Sequence, residues 1–158
     1  MIRLSISILV LLLLAAGCLQ EKEEPSIEEQ VYPGPVDIEV GVDTCAQCGM
    51  KIQDPRFAGE IIFSDGVKKF DDVGCLFLYY RSLDTAAKNN ILVMYVQDNG
   101  GRGWVNAEKA YYLYSQEVFT PMSYGIVAFK DREDALFFAE LHGSREVLTL
   151  QEAMERFR

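Results

Sequence analysis

Residues 57–81 carry the sequence FAGEIIFSDGVKKFDDVGCLFLYYR, which we interpret as two strands followed by a helix. The apolar runs 57–64 and 67–70 flank the pair Asp65-Gly66. An Asp-Gly pair between two apolar runs favours a two-residue turn, because glycine readily adopts the positive φ that such a turn requires. The sequence therefore predicts a β-hairpin over residues 57–70.

A helix is predicted to follow the hairpin directly. Asp71 and Asp72 offer side-chain oxygens that can accept the first N–H groups of a helix, and the next residues, 73–81, are mostly apolar. We interpret both aspartates as helix caps. Cys75 then falls in the first turn of the helix.

Further strands and helices are predicted on both sides of this stretch. Alternating apolar residues, β-branched runs, capping residues and a glycine stop indicate where they begin and end. The predicted strands are 36–42, 91–97, 124–130 and 146–148, and the predicted helices are 106–114, 131–143 and a last one opened by a capping box at 149–152.

The two halves of the chain resemble each other. The segment 59–65 parallels 125–131, and each is followed by a predicted helix with an acidic start. A methionine in a loop, Met50 or Met122, precedes each segment. We therefore predict an α+β fold in which two similar strand-rich ββα-type units form one compact domain.

The N-terminal residues 1–17 are predicted to be a lipoprotein signal peptide. Arg3 supplies a positive start, and the apolar stretch that follows is shorter than the roughly 20 residues that a spanning helix needs. Small residues directly precede Cys18, which would be lipidated after cleavage. An uncleaved short anchor and an ordinary cleavage site are the alternatives, and each places the chain outside the cytoplasm.

A flexible acidic tether, residues 18–41, is predicted after the signal peptide. It contains several glutamates followed by Pro33-Gly34-Pro35, so charge repulsion and proline should keep it extended and solvated. The folded domain is predicted to span 42–158, with two halves at about 42–90 and 91–158.

The composition excludes several classes of function. The 158 residues include 15 Lys+Arg and 24 Asp+Glu, which gives a formal net charge of −9. An acidic surface without a Lys/Arg stripe repels nucleic-acid phosphates. A polytopic membrane protein is excluded because the chain has one uninterrupted apolar stretch, and the single histidine leaves little for His-rich zinc hydrolases.

Sulfur is the reactive chemistry that remains. Cys45, Cys48 and Met50 lie within six residues, and Gly49 allows the chain to turn so that Met50 reaches the same centre. Cys75 can approach this centre from the predicted helix. Three interpretations stay open, namely a structural disulfide, a thiol–disulfide redox site and a soft metal site.

The methionine favours Cu(I) among these interpretations. Thioether sulfur is neutral and polarisable, so it is a poor zinc ligand, whereas Cu(I) accepts mixed thiolate and thioether coordination. Structural zinc on the three thiols is the alternative metal. The redox interpretation is weaker, because a thioredoxin-type C-x-x-C pair normally opens a helix, whereas here Gly49 follows at once.

Two residues elsewhere could also bind the metal. Met122 follows Pro121 in a polar loop, where it could complete the site or pack on a neighbour. His142 lies at the end of a predicted helix, and we interpret it mainly as a C-terminal cap.

Several of these motifs resemble the NosL family of nitrous oxide reductase accessory lipoproteins, which are copper chaperones. The resemblance covers roughly residues 43–152. It is carried by Cys48-Gly49-Met50, 57–59, 70–75, 120–125 with 128–129, and 140–148. It implies a membrane-anchored, extracytoplasmic carrier of Cu(I) built of two similar β-rich units. The copper ligands of the family's C-x-M core map onto Cys48 and Met50.

The resemblance also implies a partner, which is a client cuproprotein or its maturation complex. Nitrous oxide reductase is the candidate client. Cys45 and Cys75 are additional to the NosL core and are similar to cysteines of small YHS or TRASH-type metal modules, so other clients stay open.

We therefore expect a binding protein rather than an enzyme. Cys48 and Met50 should hold Cu(I), with Cys45 as a further ligand and Cys75 or Met122 completing the site. The alternatives are an extracytoplasmic thiol–disulfide oxidoreductase that uses the C-x-x-C pair and a structural zinc module.

Overall fold

A β-hairpin is present over 59–70, within the predicted range 57–70, and forms part of the larger of two sheets among the described residues. Its turn residues are Ser64 and Asp65 rather than Asp65 and Gly66, because Gly66 pairs with Phe63, and Phe57 belongs to a short 3-10 helix, Pro55–Phe57. The computed structural model describes residues 31–144 and 146–157. The larger sheet is antiparallel, with the order β2-β1-β3-β4. Its strands are Gly59–Phe63 (β1), Gly66–Phe70 (β2), Ile91–Gln97 (β3) and Trp104–Asn106 (β4).

The second sheet shows that the prediction of a helix over 106–114 is wrong. The Asn106 side chain does accept the N–H of Glu108, but the turn that it caps is a short 3-10 helix, Ala107–Lys109. The chain then forms the strand Tyr111–Tyr114 (β5), which pairs antiparallel with Ile126–Phe129 (β6). Sheet pairing and the burial of aromatic and apolar side chains outweigh the local helix propensity here.

Four α-helices complete the described part of the chain. They are Val73–Ser82 (α1), Thr85–Asn89 (α2), Arg132–Leu141 (α3) and Leu150–Arg156 (α4). The capping box between Thr149 and Glu152 is present at the start of α4, as predicted. The short strand predicted for 146–148 is reduced to an isolated bridge between Leu148 and Tyr112.

The α+β fold class and the two ββα-type units are confirmed. The first unit is β1-β2-α1 and the second is β5-β6-α3. The two segments that look alike in sequence occupy different places in these units, because 59–65 contains β1 and 125–131 contains β6. The structural counterpart of β6 is β2, since each of these strands leads directly into a helix.

The segment 36–42 is not a strand, contrary to the prediction. The chain turns within it, because the N–H groups of Val42 and Asp43 both donate to the Glu39 carbonyl, at 3.0 and 2.9 Å. The Val36 N–H donates to the Glu60 carboxylate at 3.0 Å, and the Lys69 ammonium donates to the Asp37 carbonyl at 2.6 Å. The last part of the predicted tether is therefore fastened to the domain.

Helix α1 lies at the centre of the fold. Its residues Cys75, Leu76 and Phe77 are completely buried, and the Phe77 ring lies 5.7 Å from the ring of Tyr112 on β5. Packing on both sides holds the first turn of α1 in a fixed position.

The predicted signal peptide, Cys18 and residues 19–30 of the predicted tether lie outside the described residues. Within the part that the structure describes, no helix is long and apolar enough to cross a bilayer.

Candidate metal centre

A tight loop holds the first two thiols. Residues Thr44 and Lys51 form an isolated antiparallel bridge, and inside it the Cys45 N–H donates to the Met50 carbonyl at 2.8 Å. Gly49 closes the loop with φ +77°, a conformation that favours glycine. The chain therefore turns at the C-x-x-C pair, and Gly49 has the conformation that the sequence led us to expect.

The loop is attached to the edge of the larger sheet. The Ala46 N–H donates to the Lys69 carbonyl of β2 at 2.8 Å, and the Lys69 ammonium forms an ion pair with Asp43 at 2.7 Å. The thiols of the loop are thereby held near the end of β2, where the chain enters α1.

The third thiol comes from the first turn of α1, as predicted. The Sγ atoms of Cys45, Cys48 and Cys75 and one carboxylate oxygen of Asp71 all lie within 4.8 Å of one another. Cys45 and Cys75 are buried, with 1% and 0% exposure, whereas Cys48 is partly exposed. The three thiols are free, so they are available as ligands to one ion.

The three thiols differ in their acidity. A hydrogen bond from the Cys75 thiol to the Cys45 sulfur lowers the pKa of Cys45 to about 6, and the same bond together with burial raises the pKa of Cys75. Burial raises the pKa of Cys48. The cluster therefore favours one thiolate, at Cys45, stabilised by a neighbouring thiol.

Asp71 is the site residue that the sequence analysis missed. The sequence predicts that both aspartates before α1 are caps, but only Asp72 caps the helix, through a hydrogen bond of 2.8 Å from the Gly74 N–H. The Asp71 carboxylate faces the thiols, and the Cys48 Sγ–H donates to it at 3.5 Å. The signal in the sequence was that the two aspartates are neighbours. Neighbouring side chains at a strand end point in different directions, so the two carboxylates should have different contacts.

Asp72 connects the metal centre to a second loop. One of its oxygens accepts the hydroxyl of Thr120 at 2.6 Å and the N–H of Met122 at 3.0 Å. Burial raises the pKa of Asp72. Gly74 leaves room for this loop, because a Cβ at that position would lie 2.3 Å from the Tyr124 ring.

The two predicted thioethers lie in different surroundings. Met50 is 52% exposed and lines a groove together with Asp71 and Phe119. Met122 is half-buried and packs against the core cluster that contains Cys45 and Cys75. The thiols are brought together as expected, and metal binding by Met50 and Met122 stays a prediction.

The surroundings also bear on the redox interpretation. Residues 46–48 form a turn, and no helix begins at the C-x-x-C pair.

His142 caps the C-terminal end of α3, where the centre of its ring lies 4.0 Å from that of Phe138.

The NosL family model matches residues 35–156, which contain the six strands and four α-helices of the described residues. A solved structure, described as the copper chaperone NosL from Shewanella denitrificans, has a similar fold. The TM-score is 0.63 and the sequence identity is 23%, and the match covers 75% of this chain and 94% of that chain. No curated protein matches the chain significantly. Because the family model covers most of its length, this chain belongs to the NosL family.

Proposed function

We propose that this protein binds Cu(I) outside the cytoplasm and delivers it to a cuproprotein. The observation that carries the proposal is the group of three thiols and one carboxylate within 4.8 Å of one another. The name of the similar structure, a copper chaperone, supports the choice of metal.

The donor set suits a soft monovalent ion. Thiolate sulfur is a ligand that Cu(I) prefers, and three thiols from two elements of the fold provide it without any histidine. In this proposal Cys45, Cys48 and Cys75 bind the ion. The family resemblance and the sequence pattern add two nearby thioethers, Met50 and Met122, as further ligands.

The difference in burial suits a carrier that must also release its ion. Cys45 and Cys75 are enclosed, while Cys48 and Met50 face the solvent side. A donor atom of an acceptor protein can then reach the ion from that side before the buried thiols let go. The protein acts as a carrier in this proposal, and copper is its cargo.

Membrane attachment through a lipidated Cys18 is part of the same proposal. Supporting it are the apolar segment, the small residues before Cys18 and the acidic tether. Nitrous oxide reductase or its maturation complex is the proposed client, because the family resemblance implies it.

The test is a competition for Cu(I) against a chromophoric chelator, using protein purified under reducing conditions. We expect the wild type to retain one equivalent. Replacing Met50 with Leu should weaken retention if the thioether binds the metal, whereas Met94→Leu, in the half-buried part of β3, should not. Failure of the wild type to retain Cu(I) would refute the proposal.

A structural zinc module is the second candidate, because three thiols and one carboxylate also suit tetrahedral Zn²⁺. Elemental analysis of the purified protein separates the two. Tightly bound zinc that Cu(I) does not displace would favour the structural role.

A further inference from the structure

A shallow groove of about 360 Å³ lies beside the metal centre. The residues that line it include Met50, Asp71, Phe119 and Pro121. Since Asp71 belongs to the cluster of thiols, a molecule in this groove would lie next to the metal site.

The Phe119 side chain lines the groove and is 87% exposed. The residue after it, Thr120, is buried and donates its hydroxyl to Asp72. The Thr120 Oγ1 also accepts the N–H of Tyr124 at 3.1 Å. Because this loop is anchored, it loses little conformational entropy when its exposed aromatic ring binds a partner.

The charges around the groove cancel. Lys51 and Arg56 line it together with Asp54 and Asp71, and Arg56 is paired with Asp54 at 2.6 Å. On a chain with a net charge of −9, this groove is therefore a locally neutral surface. It complements an uncharged segment, whereas a strongly acidic or basic segment would find no excess of opposite charge.

We propose that the groove receives an uncharged, apolar segment of the copper acceptor that carries a methionine thioether. This rests on the proposed function, because the thioether is the soft donor that would take over the Cu(I) ion. Phe119 provides the apolar contact that holds the segment while ligands exchange. It is a docking residue and does not bind the metal.

The test uses a short synthetic peptide with two methionines among leucines and no charged side chains. A second peptide replaces both methionines with norleucine. Affinity for the Cu(I)-loaded protein is measured by calorimetry with the wild type, Phe119→Ser and Phe137→Ser. Phe137 is the matched control, since it is 65% exposed on α3 and does not line the groove.

We expect Phe119→Ser to weaken binding of the methionine peptide about tenfold, as loss of an aromatic anchor at an interface typically does. Phe137→Ser should leave peptide binding unchanged. The norleucine peptide should bind the loaded wild type more weakly than the methionine peptide. Cu(I) retention by Phe119→Ser should match that of the wild type, because an exposed ring contributes little to folding.

Equal peptide binding by the two serine variants, or equal binding of the two peptides, would overturn the docking proposal and leave copper binding intact. A dimer that Phe119→Ser converts to a monomer in sedimentation velocity would also overturn it, because the groove would then be a self-interface. Loss of Cu(I) retention in the wild type would instead refute the proposed function, and the docking proposal with it.

Discussion

The two ββα units use the same junction for different purposes. In the first unit, β2 leads into α1 through Asp71 and Asp72, and these carboxylates contact a thiol, a helix terminus and a neighbouring loop. In the second unit, β6 leads into α3 through Lys130 and Asp131.

The carboxylates at the second junction are engaged by an arginine. Arg102 forms ion pairs with Asp131, with Asp134 and with the buried Asp98, the last at 2.9 Å. The acidic helix start is therefore part of the cluster of thiols in one unit and part of a structural ion-pair network in the other. A common backbone arrangement does not determine the chemistry, which depends on the side chains that neighbouring loops bring to the junction.

The largest effect on Cu(I) affinity is expected at the third residue of α1, whereas a change at the third residue of α3 should have none. Cys75→Ser should lower the affinity for Cu(I) by at least about a hundredfold, because even the loss of residues that only support metal ligands costs 10–100-fold. The equivalent residue of α3 is Asp134, and Asp134→Asn should leave the affinity unchanged. Chelator competition measures both variants. Equal affinity of Cys75→Ser and the wild type would show that α1 supplies no ligand.

The second prediction tests the structural role of the other junction. Asp98 is buried and accepts the N–H groups of Gly100, Arg102 and Lys130 as well as the Arg102 side chain. Asp98→Ala leaves these donors without their acceptor and should lower the free energy of unfolding by about 2 kcal/mol. Urea unfolding measures this loss, and Cu(I) affinity should stay that of the wild type. A stable variant that has lost copper would contradict the division of roles.

A smaller effect is expected at Asp71. Asp71→Asn keeps the shape of the side chain but removes the charged acceptor of the Cys48 thiol, so the affinity for Cu(I) should fall about tenfold. Asp131→Asn is the control in the second unit and should have no effect on copper. An unchanged affinity of the Asp71 variant would mean that its contact with Cys48 does not support the site.

The smallest effect concerns pH. Burial raises the pKa of Glu60 in β1 to about 7, against an ordinary value of 4.5, although Lys69 and the Val36 N–H favour its charged form and Asp37 opposes it. The folded protein therefore binds this proton more tightly than the unfolded chain does. The resulting stabilisation is fully present below pH 4.5 and is lost as the pH rises through about 7.

Between pH 6 and pH 7.5, the free energy of unfolding should therefore fall by about 1 kcal/mol through Glu60. Glu60→Gln should remove that part of the dependence, which urea titrations at the two pH values measure. In the sequence match between the halves, the position of Glu60 corresponds to Ile126, which cannot titrate. A variant with the same pH dependence as the wild type would show that the titration belongs to another group.

Much of the first unit is predictable because its signals are local. The Asp72 cap of α1 acts over a few residues and is present, and so is the Thr149 capping box of α4, outside this unit. A tight turn also joins β1 to β2, but its two residues are Ser64 and Asp65, because Gly66 pairs with Phe63 as the first residue of β2. The wrong predictions concern segments whose structure depends on contacts with residues distant in the sequence. Residues 36–42 have strand character, but the chain turns at Glu39 and Val36 binds the Glu60 side chain, and Tyr111–Tyr114 becomes a strand because β6 pairs with it.

The sequence alone determined that three thiols would lie on a turning loop and on the first turn of a helix. It also determined the order β1-β2-α1, because turns and caps depend on nearby residues. Only the tertiary structure decided that Cys75 meets Cys45 and Cys48, and that Asp71 rather than Asp72 joins them. Cys48 and Cys75 are far apart along the chain, so their distance depends on how α1 packs and on how the loop is fastened to β2.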